Sequence, residues 1–177
     1  MLNNNSSFST GIYADFHPGR YFQVTPHFGY TKYYFQHTSQ SIQTSDQGSW
    51  YADLLITHQM TEAVSYMLDA GHNVSLGIQS DAIEQNYVTL GVTWNIIKDL
   101  TLKTTFSYQR GNQGQGNVAG NLTETYGWYN GNLNLSYPIM KKLTASLSYR
   151  LTLRSSNIPL NEYTQYLVGL MLTYQAR

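Results

Sequence analysis

The chain of 177 residues contains no cysteine. That excludes disulfides, thiolate metal sites and cysteine nucleophiles together. Charge is scarce as well. Asp, Glu, Lys and Arg make up 11% of the chain, against roughly 25% in an ordinary soluble domain. Ten basic residues balance ten acidic ones, so the formal net charge is zero. A neutral chain with no basic stripe has no electrostatic hold on a polyanion, and no nucleic acid is expected as a partner. Long apolar runs are also missing. No stretch reaches the roughly 18 apolar residues of a transmembrane helix. The opening MLNNNSSFSTG has no basic segment followed by an apolar run, so it does not read as a signal peptide.

Neutral polar residues and tyrosine fill the gap. Aromatics are 14% of the chain, and 16 of them are tyrosine. The stretch GNLNLSYPIMKKLTASLSYRL, residues 131–151, shows how they are arranged. Leu133, Leu135, Tyr137, Leu143, Ala145, Leu147, Tyr149 and Leu151 alternate with Asn132, Asn134, Ser136, Thr144, Ser146, Ser148 and Arg150. Successive side chains of a strand point to opposite faces, so this pattern predicts two strands with one apolar and one polar face.

The same period recurs along the chain and predicts about nine strands, at 7–16, 21–36, 49–59, 62–73, 82–96, 100–110, 123–137, 143–153 and 163–175. In the fifth, Val88, Leu90, Val92 and Trp94 share a face opposite Tyr87, Thr89, Gly91 and Thr93. In the ninth, Leu167 and Met171 break the alternation. No segment has a helical period, and no composition shift marks a domain boundary, so residues 1–177 read as a single domain. The connections alternate in length. Residues 17–20, 59–62, 97–99 and 138–142 are short, whereas 37–48, the stretch near 73–82, 111–122 and 154–162 are long and polar. Tight turns at one end and long loops at the other predict an all-β, antiparallel up-and-down meander. Its setting is a transmembrane β-barrel, or the C-terminal part of a larger one.

Charge placement agrees. Asp15, Asp53, Asp69, Lys103 and Arg150 all fall on the polar parity. Lys32 falls on the apolar parity near a long loop, where its stem can snorkel. The apolar face is thus expected to be almost free of charge and to meet lipid. Tyr137 and Tyr174 mark one end of the apolar runs, and Tyr108, Tyr129 and Tyr166 the other, as interfacial tyrosines do. Hydrocarbon offers no partner to backbone groups, so such a sheet is expected to close.

The closing stretch YRLTLRSSNIPLNEYTQYLVGLMLTYQAR resembles the C-terminal end of bacterial outer-membrane barrels. It is most similar to the putative β-barrel porin type 2 (OmpL-like) family. The elements that carry the resemblance are Ser156, Asn157, Tyr163, Val168, Leu170, Leu172 and Tyr174, within about 30 residues. The resemblance implies location in the bacterial outer membrane and assembly by the barrel insertion machinery. Outer-membrane lipid and lipopolysaccharide are then the surrounding partners. Nine strands without a leader predict that the chain is the C-terminal part of a larger barrel, with further strands before Met1. Should the first segment not join the wall, eight strands remain.

No catalytic constellation is present. His17, His27, His37, His58 and His72 lack metal-ligand spacing, and no nucleophile elbow or phosphate loop occurs. No enzyme activity, cofactor or metal is expected. The candidate site is a polar lumen lined by Asp53, Asp69, Lys103 and Arg150, whose charges would set ion preference. Asp53 and Asp69 lie on adjoining predicted strands and can approach each other. Three functions stay open. The first is a porin-type channel for small solutes or ions, or the exit of a polysaccharide export route. The second is a small non-conducting structural barrel. The third is a soluble glycan-binding β-sandwich. Oligomeric state is not legible.

Overall fold

The computed structural model describes residues 5–35, 47–76, 82–114 and 123–175. Ten strands form one antiparallel sheet: β1 Asn5–Tyr13, β2 Phe16–Gly19, β3 Phe22–Phe35, β4 Gln47–Gln59, β5 Val64–Leu76, β6 Ala82–Ile97, β7 Leu100–Gly114, β8 Thr123–Met140, β9 Leu143–Ser156 and β10 Tyr163–Tyr174. Their spatial order is β1-β3-β4-β5-β6-β7-β8-β9-β10, with β2 beside β3. The meander expected from alternation is therefore present. A 3-10 turn at Pro159–Asn161 precedes β10.

The tenth strand arises from one proline. β1 and the start of β2 follow a single register along β3, since Tyr13 faces His27 and Phe16 faces Val24, and the register shifts by one only at Gly19 opposite Phe22. Between them stands Pro26, whose carbonyl accepts the Ala14 N–H at 3.2 Å. Pro26 has no N–H to return, so the ladder lapses at Ala14 and Asp15. The predicted strand 7–16 is thus interrupted, and Asp15 lies in the gap rather than within a strand. This segment joins the wall, so the sheet has nine positions across it and not eight.

Other boundaries shift outward. Residues 138–142 are not all turn, because β8 runs through Pro138 to Met140 and the turn is Lys141–Lys142. Likewise β2 runs through His17–Gly19, and the turn is Arg20–Tyr21. At 97–99 the turn is Lys98–Asp99, where Asp99 takes φ 73, a left-handed conformation that aspartate tolerates. β5 and β6 extend to Leu76 and from Ala82, which shortens the connection expected near 73–82. The loops expected at 37–48 and 111–122 lie largely outside the described residues.

The expected closure is not formed among the described residues. β1 and β10 occupy the two edges of the sheet and do not pair with each other. Eight antiparallel steps separate them, so they run in the same direction, and a pairing between them would be parallel.

Burial is inverted relative to a soluble domain. Thr152, Glu124 and Ser146, all on the polar parity, are 5%, 5% and 7% exposed. Leu170 and Val168, on the apolar parity, are 75% and 69% exposed. Phe106, Leu133 and Leu147 stand out in the same way on the central strands. Tyr126 is the one large hydrophobic side chain buried among the described residues, and it lies on the polar face. A soluble sheet hides its apolar face to stabilise the fold. Here the sheet shelters its polar side chains and presents the apolar ones.

Candidate functional site

Register assembles the polar face row by row. One row of directly facing residues runs from Tyr13 through His27, Asp53, Gly71, Tyr87, Gln109 and Trp128 to Arg154 and Tyr163. His27 Nδ1 lies 3.4 Å from Asp53 Oδ1. Its ring meets Tyr13 edge-on at 5.7 Å and Tyr51 at 6.1 Å between centroids. Across Gly71, Tyr87 Oη donates to Asp69 Oδ1 at 3.4 Å. Gly71 leaves room here, because a Cβ on it would lie 2.8 Å from that of Asp53.

The four predicted residues all occupy this face. Asp53 faces His27 and Gly71, while Asp69 faces Leu55 and Thr89, one rung nearer the short turns. The two carboxylates are therefore diagonal neighbours on β4 and β5. Arg150 faces Asn132 and Leu167, and Lys103 faces Thr93 and Asn134. Asn132 and Asn134 are two residues apart on β8, so the two cations sit diagonally on either side of it. Both cations are exposed. Neither has an ion-pair partner among the described residues. Acidic and basic residues are thus separated across the sheet and along it. Lys103 borders a hollow of about 590 Å³ at the short-turn end, with Gln23, Thr57, Ser65, Met67 and Thr93.

A second cluster near the long loops was not anticipated. Arg154 Nη2 donates to Glu124 Oε1 at 2.8 Å, and Ser156 Oγ donates to the same oxygen at 2.7 Å. The Arg154 guanidinium lies 5.2 Å from the Tyr126 ring centroid and 5.9 Å from that of Trp128, within cation–π range. Tyr126 lies across Gly111, directly opposite it on β7, and reaches over that strand to donate to Gln85 Oε1 on β6 at 3.4 Å. Gln85 also accepts from Gln109. Among the described residues, Trp128 Nε1 and Arg154 Nε have no protein partner. The signal was present in the sequence: Glu124, Tyr126, Trp128, Arg154 and Ser156 share the polar parity. The strand predicted to end at 153 stopped short of Arg154.

On the apolar face, charge exclusion is less complete than expected. Lys32 is there, its Nζ 5.0 Å over the Tyr34 ring. Glu84 and Arg110 are there too, on the same parity as Val88 and Tyr108. All three lie toward the long loops, beyond the central apolar positions. Tyr129 and Tyr137 on β8, and Tyr166 and Tyr174 on β10, bracket the apolar band at equal spacing.

No protein-family model matches the chain, and no curated protein matches it in sequence. Among solved structures, the outer membrane channel DcaP of Acinetobacter baumannii is similar in fold, with a TM-score of 0.66 over 97% of this chain at 16% identity. That alignment takes in 53% of the channel, so the chain spans about half its length and shares its β-barrel wall architecture over that span.

Proposed function

We propose that this sheet is wall of a transmembrane β-barrel in the bacterial outer membrane, and that the barrel is a porin-type channel for passive passage of small polar solutes or ions. The inversion of burial carries this reading. A face of Leu, Val, Phe and Tyr left exposed is costly in water and favourable in hydrocarbon. A soluble sandwich would bury that face against a second sheet, and the described residues form one sheet. The band height fits as well. Eight residues from Tyr129 to Tyr137 rise about 27 Å along the strand, or about 21 Å at a tilt of about 40°, near the roughly 25 Å apolar band of such barrels.

On this reading the surroundings are outer-membrane lipid and lipopolysaccharide, and the barrel assembly machinery inserts the chain. Asp53 and Asp69 line one part of the lumen and Lys103 and Arg150 another, giving a field across it. The polar face does conduction rather than chemistry. The likeness in fold to an outer membrane channel supports this reading.

A second reading rests on the aromatics of the polar face. Tyr13, Tyr51, Tyr87, Tyr126 and Trp128 alternate there with amides and hydroxyls. Rings that stack and amides that hydrogen-bond suit a polyhydroxylated chain, as in the exit of a polysaccharide export route.

Planar-bilayer recording tests both. Refolded into a closed barrel, the protein should insert and give discrete conductance steps. Soluble oligosaccharide should interrupt the current if the second reading holds. Insertion without conductance would instead make this a structural barrel.

A further inference from the structure

We infer that the outward face of β7–β9 carries a site for an anionic, phosphate-bearing membrane amphiphile, with Arg110 on its headgroup and its acyl chain in a trough over Gly131. The inference rests on the reading of the apolar face as lipid-facing.

Two hollows lie one above the other along β8. The upper, of about 300 Å³, is lined by Tyr108, Arg110, Thr125, Gly127, Tyr129 and Ser155. The lower, also about 300 Å³, is lined by Leu90, Phe106, Gly131, Leu133, Tyr149 and Leu151. Both owe their depth to a missing side chain. Gly127 faces Arg110, and Gly131 faces Phe106 and Leu151. A Cβ on Gly131 would meet nothing within 4 Å, so the trough is open along its floor.

Between the hollows, Tyr108 and Tyr129 face each other with ring centroids 4.7 Å apart. Tyrosine pairs of this kind sit at headgroup level. Arg110 is one rung farther toward the long loops, about 7 Å along the strand. It therefore stands where a phosphate lies when its acyl chain occupies the trough below. Arg110 is exposed and has no ion-pair partner among the described residues. Glu84, its acidic neighbour diagonal on β6, accepts from Ser49 at 3.3 Å and does not pair with it. A planar guanidinium suits a phosphate because it presents paired donors. Hydroxyls of Thr125 and Ser155 complete a polar rim. Lys32 lies at the long-loop end of β3, but its ammonium is already over Tyr34.

The test is native mass spectrometry of the refolded, detergent-solubilised protein with added phosphatidylglycerol or phosphatidylcholine. Phosphatidylglycerol should be retained about five-fold over phosphatidylcholine, the size expected of one basic residue facing anionic headgroups. Arg110→Gln should abolish the preference. Gly131→Leu should lower retention of both lipids by filling the trough, and Gly131→Ala should do so less. Lys32→Gln should change neither. Folding of each variant is checked by heat-dependent electrophoretic mobility.

Equal retention of the two lipids, or a preference unmoved by Arg110→Gln, would overturn the inference. So would displacement of bound lipid by millimolar inorganic phosphate, which would mark a free-anion site. Aqueous thiol labelling of Leu133→Cys separates the two levels of the argument. Shielding without lipid preference defeats this inference alone, whereas free labelling defeats the membrane reading beneath it.

Discussion

Arg154 on β9 and Glu124 on β8 are joined at 2.8 Å across two rungs of the polar face, with Glu124 almost fully enclosed. The carboxylate also takes the Ser156 hydroxyl, and Arg154 lies beside Tyr126 and Trp128. Removing one partner strands the other. Arg154→Gln or Glu124→Gln is expected to cost about 1.5–3 kcal/mol, the range for hydrogen bonds to charged groups. The double variant should cost less than the sum. Guanidinium unfolding of protein refolded in vesicles measures this, and additive losses would show the pair uncoupled.

The two faces should differ in access. Cysteines at Leu102, Leu133, Leu147 and Leu170 are expected to be shielded from aqueous thiol reagents in vesicles. Those at Thr105, Asn132 and Gly169 are expected to react, whereas Ser146 is itself enclosed beside Ser136 and is left out of the set. Equal labelling of both sets would refute the lipid-facing reading.

Adjacent positions on β8 give an energetic version of that contrast. Leu133→Arg places a charge in the middle of the apolar band and should destabilise the inserted protein by about 2–4 kcal/mol. Asn132→Asp, one residue away on the other face and directly opposite Arg150, should cost well under half of that. Urea or guanidinium titration in vesicles decides it, and equal losses would count against opposite environments.

Lys103 and Arg150 should bias the lumen toward anions locally, because fixed charges in a partly dehydrated channel attract counter-ions more strongly than in bulk water. Changing both to Gln is expected to move the bilayer reversal potential toward cation preference. Changing Asp53 and Asp69 to Asn should move it the other way. A conducting channel that responds to neither pair would have a selectivity set elsewhere.

Local rules made the fold class legible. A period of two is a property of each strand alone, so Leu133 and Asn132 announce opposite faces without any knowledge of their neighbours. Turn length is local as well, and the alternation of tight and long connections pointed to a meander. The same parity put Asp53, Asp69, Lys103 and Arg150 on one face before any pairing was known. Parity also held Glu84 and Arg110 on the apolar side, inside the predicted strands 82–96 and 100–110, although only Lys32 was named there.

By itself, then, the sequence determined which way each side chain points, and through that one apolar and one polar face. Tertiary structure alone decided which residues meet. His27 lies opposite Asp53, and Arg154 reaches Glu124, because the register of β3 on β4 and of β8 on β9 brings them together across long stretches of chain. Register is set by turn geometry, bulges such as those beside Ile97 and Met140, and the summed fit of every rung, none of which is encoded at a single position. The interruption at Pro26 shows the same division. The missing N–H is plain in the sequence, but its consequence falls on Ala14 and Asp15 only because pairing places those two residues beside it.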